Sequence, residues 1–178
     1  MKPDLARWRV RAGYPAAAAY FLLAHPRPGL LAAGAALGAF GLLWRAWAAG
    51  YLEKNRRLST DGPYGRTRNP LYFGSLWMAA GMAVASGSTA AAILVAAYWL
   101  AFYPATMRAE ERELAARYGD AFADYAARVP AFWPRWRAPE AGPQPGFRFQ
   151  LYWRNREYRA ALGYLLVLAL LALRMLVR

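Results

Sequence analysis

The sequence contains no cysteine and a single histidine, His25. The first absence excludes a disulfide framework, a thiolate-bound zinc or iron–sulfur site and cysteine nucleophile chemistry. The second removes most other metal sites, so no metal is expected. Acidic residues are also few: 10 Asp+Glu stand against 23 Lys+Arg, for a formal net charge of +13 over 178 residues. Such a balance calls for an anionic partner. The basic residues lie between long apolar stretches rather than along an aromatic-interleaved sheet or a recognition helix, which argues against nucleic acid and for lipid headgroups. Apolar side chains are what the sequence has in excess, at 58% hydrophobic and 16% aromatic, high for a soluble domain. A mean hydropathy of only +0.07 beside that content means that charge and apolar surface are segregated along the chain.

The segregation predicts an all-α polytopic membrane bundle in one domain, with about five spans near 9–25, 29–52, 71–86, 89–107 and 158–177. A bilayer core needs roughly 20 helical residues. The second, fourth and fifth segments meet that length, whereas the third is short and the first must recruit Trp8 and Val10. Short turns at 25–29 and 86–88 predict that the first span pairs with the second and the third with the fourth. Lys2, Arg7, Arg9, Arg11, the basic residues between 54 and 68 and the ten arginines from Arg108 to Arg159 fall on one side, leaving Arg27, Arg174 and Arg178 opposite. The positive-inside rule then puts the amino terminus and residues 53–70 and 108–157 in the cytoplasm and the carboxyl terminus outside, with a prokaryotic inner membrane as the expected location. Met1 to Arg11 is charged and no small-residue cleavage site follows the first apolar run, so no cleavable signal is expected.

Residues 108–138 read as a cytoplasmic helical segment. Leu114, Tyr118, Phe122, Tyr125 and Val129 recur at helical spacing, with a break near Gly119 and an end at Pro130. Residues 139–146 have the composition of a linker, and 147–159, rich in aromatics and arginine, read as an interfacial segment feeding the last span.

Two places carry potential chemistry. Between Asp61 and Gly74 a Gly/Pro turn delivers Arg66, Arg68 and Asn69 to the start of the third span. A helix amino terminus favours a carboxylate or phosphate, although a basic cytoplasmic loop obeying topology reads the same way. Arg108, Glu110, Glu111 and Glu113 stand at the end of the fourth span, where carboxylates can accept from hydroxyls or meet a cation; a solvated helix exit is the alternative.

Taken in order, Gly62-Pro63-Tyr64, Arg68-Asn69-Pro70-Leu71-Tyr72-Phe73-Gly74, a helical hairpin, Glu110-Glu111-x-x-Leu114, Tyr118-Gly119, Tyr125, Val129-Pro130 and Trp133-Pro134 closely resemble the isoprenylcysteine carboxyl methyltransferase family and its phospholipid N-methyltransferase relatives. The resemblance covers residues 60–135. It implies an integral membrane enzyme that uses S-adenosylmethionine and methylates a lipid-like or membrane-embedded acceptor. It also implies cofactor-binding roles for Tyr64, Arg68, Asn69, Pro70, Tyr72, Gly74, Glu110 and Glu111, and catalytic roles for Arg108 and Glu111. On this reading the turn at 68–74 holds the cofactor's amino-acid end, Gly74 permits close backbone approach, Glu110 or Glu111 accepts from ribose or amino groups, and Arg108 orients the acceptor. Asn69 stands where the family has histidine; it can donate and accept hydrogen bonds but not relay a proton. The resemblance implies an arginine shortly before the paired acids to meet a substrate carboxylate; here the upstream positions read Phe102-Tyr103-Pro104-Ala105-Thr106-Met107 and only Arg108 is near, so prenyl-cysteine carboxylates, phospholipid amines and other small lipophilic nucleophiles are all compatible acceptors.

Two other readings stand beside this one: an NADPH-dependent membrane reductase of the sterol reductase type, and a non-enzymatic membrane scaffold or transporter subunit. Arg45, inside the second span, either faces a cavity or snorkels toward the cytoplasm, and the second is favoured. Trp44, Trp47, Tyr51, Trp99, Tyr103, Trp133, Trp136 and Trp153 read as an interfacial aromatic belt. The fifth span lies outside the resemblance; Gly163 and the alanines at 160, 161, 169 and 172 would allow close packing, and the oligomeric state is open.

Overall fold

The protein is described from a computed structural model at residues 3–54, 56–135 and 146–177, with side chains from residue 7 onward. The expectations for Lys2, Trp136, Arg178 and most of the 139–146 linker therefore lie outside the described residues. Among the described residues seven α-helices and one 3₁₀ turn follow in chain order: α1 (Pro3–Leu23), α2 (Pro28–Ala49), the 3₁₀ turn Gly62–Gly65, α3 (Pro70–Ala85), α4 (Thr89–Tyr118), α5 (Asp120–Arg128), α6 (Phe149–Arg154) and α7 (Tyr158–Leu176). No strand occurs among the described residues, and the architecture is a helical membrane bundle.

Local chemistry sets the boundaries. Pro28 and Pro70 open α2 and α3, where the missing N–H costs no hydrogen bond. Ser88 caps α4 by accepting from the Ala91 N–H at 3.3 Å. Gly119, at φ +50°, separates α4 from α5, a conformation that a side chain would strain.

Among the described residues three helices, α2, α4 and α7, are long and apolar enough to cross a bilayer; α3 is apolar but has only 16 residues, and α1 carries its arginines in its first half. At 30 residues α4 is about 45 Å long, well beyond a 30 Å hydrocarbon core. Its last turns therefore protrude as the first part of the segment expected at 108–138, and α5 follows as the second. Phe122, Tyr125 and Val129 bury one face of α5 against Leu58, Leu114 and Tyr118.

The main helix pair is α2 with α3, with α3 also against α4 as expected. The expected pairing of the first two spans is corrected: α1 packs on α4. The reason lies in glycine. A Cβ on Gly34 would strike the Gly81 carbonyl, and one on Gly74 would sit 2.7 Å from the Gly41 carbonyl, so α2 and α3 meet backbone to backbone and leave α1 the outer groove. The α1–α2 turn still closes on the α3–α4 turn, the His25 N–H donating to the Ser86 carbonyl at 2.6 Å.

Tyr164 of α7 fills the notch made by Gly38 and Gly81 and donates to the Gly34 carbonyl at 2.8 Å. This is how the last span completes the bundle. Gly163 meets no other part of the described chain and faces open space.

Candidate active site

The stretch between α2 and α3 is held by its own charges. Arg57 donates to Glu53 at 2.9 Å and to the buried Asp61 at 2.8 Å, while Tyr51 lies under Gly62, whose φ is +54°. Tyr64 is buried, and its carbonyl accepts from the Tyr125 hydroxyl at 2.8 Å. Burial pushes the phenols of both Tyr64 and Tyr125 well above the ordinary tyrosine range. This anchors the 3₁₀ turn to α5 and sets the direction in which residues 66–69 enter α3.

The entry is fastened a second time. Thr67, fully buried, donates to the Phe132 carbonyl at 2.9 Å and accepts from the Asn69 N–H at 3.3 Å. The Arg68 N–H donates to the Pro130 carbonyl at 2.9 Å, and the Arg135 N–H to the Arg66 carbonyl at 2.9 Å. Residues 66–69 and 130–135 therefore run against each other as one polar strap beneath the end of α4.

The strap holds Glu111 of α4. Arg68 donates to both its oxygens, from Nε at 2.9 Å and Nη2 at 3.2 Å, and Asn69 Nδ2 donates at 3.0 Å. Arg68 Nη1 reaches the carbonyls of Ala126 at 2.9 Å and Val129 at 3.3 Å, and Asn69 Nδ2 also reaches the Ala131 carbonyl at 2.9 Å. Next to this group Tyr72 donates to the exposed Glu110 at 2.7 Å, its ring edge-on to Tyr103.

The sequence-predicted residues thus divide. Arg68, Asn69, Tyr72, Glu110 and Glu111 converge at one end of the bundle, and Tyr64 and Pro70 position them. Arg68, expected to hold the cofactor, has most of its donors spent on Glu111 and the carbonyls of Ala126 and Val129 and is an internal tie. Arg108 is exposed, and its Nε donates one turn back to the Pro104 carbonyl at 3.2 Å rather than to either acid. Gly74 is corrected too: its close approach is to Gly41 and Arg45 of α2, not to the polar strap.

Above the strap lies a cavity of about 380 Å³ between α1, α3 and α4, reached also by Arg45 and Ala160. Trp99 and Tyr103 belong both to its wall and to the aromatic cluster that joins Phe132, Phe73, Trp44 and Trp133. The aromatic belt of the sequence reading is therefore partly an internal cluster.

Snorkelling by Arg45 is likewise corrected. The side chain does turn toward the ends of α3 and α7 that face the polar strap, but it reaches a partner instead of water. Nε donates to Glu157 at 3.0 Å and Nη2 at 2.9 Å, while Nη1 donates to Ser75 Oγ at 2.6 Å and to the Leu71 carbonyl at 3.0 Å. Arg156, at φ +57°, turns the chain between α6 and α7 so that Glu157 meets Arg45. Thr67, Ser75 and Glu157 were missed by sequence reasoning. Only Glu157 had a signal: an acid just before an apolar span, with an unexplained arginine in another.

Residues 31–121 match the phospholipid methyltransferase family. The cobalt-zinc-cadmium resistance protein CzcN of Cupriavidus metallidurans is 41% identical over 93 residues, 51% of this chain and 43% of its own length. The nickel-cobalt-cadmium resistance protein NccN of Alcaligenes xylosoxydans xylosoxydans is 42% identical over 94 residues, with the same coverage of 51% and 43%. The chain thus aligns with less than half the length of these curated relatives. No solved structure matches. The matched residues run from α2 to the start of α5 and contain the convergent Arg68, Asn69, Tyr72, Glu110 and Glu111, so the chain belongs to the phospholipid methyltransferase family.

Proposed function

We propose that the protein transfers the methyl group of S-adenosylmethionine to a lipophilic acceptor drawn from the bilayer. One observation carries this reading. Two adjacent carboxylates, Glu110 and Glu111, are fixed at the polar end of a membrane bundle by Tyr72, Arg68 and Asn69, and Tyr103, in contact with Tyr72, also lines an apolar cavity.

The residues present fit that cofactor. Glu110 and Glu111 can accept from ribose hydroxyls and an α-ammonium group, and the rings of Trp99, Tyr103, Phe132 and Trp133 suit a purine and a sulfonium. When bound, the cofactor supplies an already activated methyl carbon open to in-line displacement.

The chain's own residues then position and shield. Arg68 and Asn69 hold Glu111 in one orientation, the 66–69 and 130–135 strap covers the end of α4, and the aromatic cluster excludes water from the space between cavity and acids. Asn69 has no titrating group and takes no proton. The surplus of arginine at this end favours a cytoplasmic position for the acids in an inner membrane.

The test is calorimetry on the detergent-purified full chain with S-adenosylmethionine, S-adenosylhomocysteine and NADPH. Saturable binding of the first two, weakened at least ten-fold by Glu111→Gln, is expected. Binding of NADPH alone would replace this reading with a reductase, and binding of none with a scaffold.

A further inference from the structure

S-adenosylmethionine ends in an amino acid that is a zwitterion at neutral pH. A site for it therefore needs a cation for the carboxylate as well as an acid for the ammonium. The exposed Glu110 supplies the acid, but the arginines nearest to it in the matched residues do not supply the cation. Arg68 is spent on Glu111 and helix carbonyls, and Arg45 on Glu157, Ser75 and the Leu71 carbonyl. Arg108 turns its Nε back to the Pro104 carbonyl, and Arg112, two residues past Glu110, leaves α4 on the opposite face.

Arg9 of α1 is placed differently. Its helix begins at the polar end of the bundle, since the other end of α1 closes on the α3–α4 turn through the His25 N–H and the Ser86 carbonyl. Gly13, Ala16, Ala17 and Tyr20 form the stripe of α1 that lines the cavity, and Arg9 stands one turn before Gly13 on that stripe. Arg7 and Arg11, each roughly 200° around the helix from Arg9, fall on the far face and are exposed, whereas Arg9 is half-buried.

The position is fixed by α4. The Tyr98 hydroxyl donates to the Arg9 carbonyl at 2.8 Å, and a Cβ on Gly13 would come within 3.3 Å of the same hydroxyl. A helical side chain leans toward the amino terminus of its own helix, so Arg9 is directed from Tyr98 toward the polar end. Its charge acts there on the phenol of Tyr72 as well as on that of Tyr98. Tyr72 in turn donates to Glu110 at 2.7 Å. A cation from α1 and an acid from α4 thus flank one phenol, and no carboxylate among the described residues pairs with Arg9.

From this placement we propose that Arg9 is a cofactor-binding residue, its guanidinium taking the carboxylate of the amino-acid end of S-adenosylmethionine while Glu110 takes the ammonium. The inference rests on the methyltransferase reading above and adds to its site a residue outside the matched residues 31–121.

The experiment is calorimetry on the detergent-purified full chain with S-adenosylmethionine and with decarboxylated S-adenosylmethionine, which keeps the sulfonium and the amine and lacks the carboxylate. Arg9→Met should weaken S-adenosylmethionine at least ten-fold and leave the decarboxylated ligand within two-fold, so that the retained affinity also reports an intact fold. Arg9→Lys should recover part of the loss, and Glu110→Gln should weaken both ligands. Arg7→Met removes the same charge from the far face of α1 and should change neither affinity. No loss with Arg9→Met, equal losses for the two ligands, or the same loss with Arg7→Met overturns the assignment of Arg9 and leaves the methyltransferase reading standing. Failure of the unaltered chain to bind either ligand overturns that reading, and the assignment of Arg9 with it.

Discussion

Arg45 and Glu157 offer the sharpest energetic test, because their side chains are only 17% and 10% exposed and sit within a membrane bundle. A buried ion pair adds little over a well-packed apolar pair, but losing one partner strands a charge in low dielectric. Arg45→Met strands the Glu157 carboxylate entirely and should cost about 3 kcal/mol. Glu157→Met leaves the guanidinium with Ser75 and the Leu71 carbonyl and should cost less, about 2 kcal/mol. The double variant removes both charges but still deprives Ser75 and Leu71 of a donor, for a total of about 2 kcal/mol instead of the additive 5. The coupling of about 3 kcal/mol is at the upper end for side chains in contact. Titrating each variant with SDS in mixed micelles and following the unfolding midpoint completes the cycle. A coupling under about 0.5 kcal/mol would refute the pairing and with it the anchoring of α7 at this point.

Four further outcomes follow from the packing. Gly38→Ala drives a methyl into the Tyr164 ring and should cost about 1–3 kcal/mol, with most of the loss recovered when Tyr164→Leu is added, both read by the same titration. Thr67→Val keeps the shape but leaves the Phe132 carbonyl and the Asn69 N–H unpaired, so thermal unfolding should show a loss of about 1–2 kcal/mol. Gly119→Ala must hold φ +50° with ψ −124°, outside the regions open to an L side chain, and should lose about 1–3 kcal/mol, seen as earlier proteolysis between α4 and α5. Glu113→Gln should leave both stability and cofactor affinity unchanged within error, its contact with Arg117 being 3.6 Å on an exposed helix face.

Much of this architecture was readable in the sequence because its signals are local. The ends of α2, α3 and α4 follow from Pro28, Pro70 and Ser88, and the break at Gly119 and the buried stripe Phe122, Tyr125 and Val129 follow from spacing. What failed was what depends on partners far along the chain. Short turns suggested that the first two spans pair, yet close packing is decided by where glycines face each other, and Gly34, Gly41, Gly74 and Gly81 match α2 to α3. Gly74 was read as serving a ligand because its motif neighbours do; helical periodicity turns it to the opposite side from Tyr72, against Arg45. Arg68 was read as a ligand-facing cation because nothing local shows that the carbonyls of Ala126 and Val129 wait for it.

The matched and unmatched residues of the chain also divide in space. The match at residues 31–121 contains Arg68, Asn69, Tyr72, Glu110 and Glu111, and with them the polar end of the bundle. It contains none of α1 and none of α7, yet Gly13, Ala16, Ala17 and Tyr20 line one side of the cavity, Ala160 another, and Glu157 neutralises the arginine at its end. On the proposed reading, the acids that hold the cofactor come from the matched residues, whereas much of the pocket wall comes from helices outside them. Grafting is the corresponding measurement: exchanging Ala16, Ala17 and Ala160 for larger apolar residues should alter which lipophile is methylated and leave S-adenosylmethionine affinity as it was. A change in cofactor affinity with an unchanged acceptor preference would show that these three positions serve the cofactor instead.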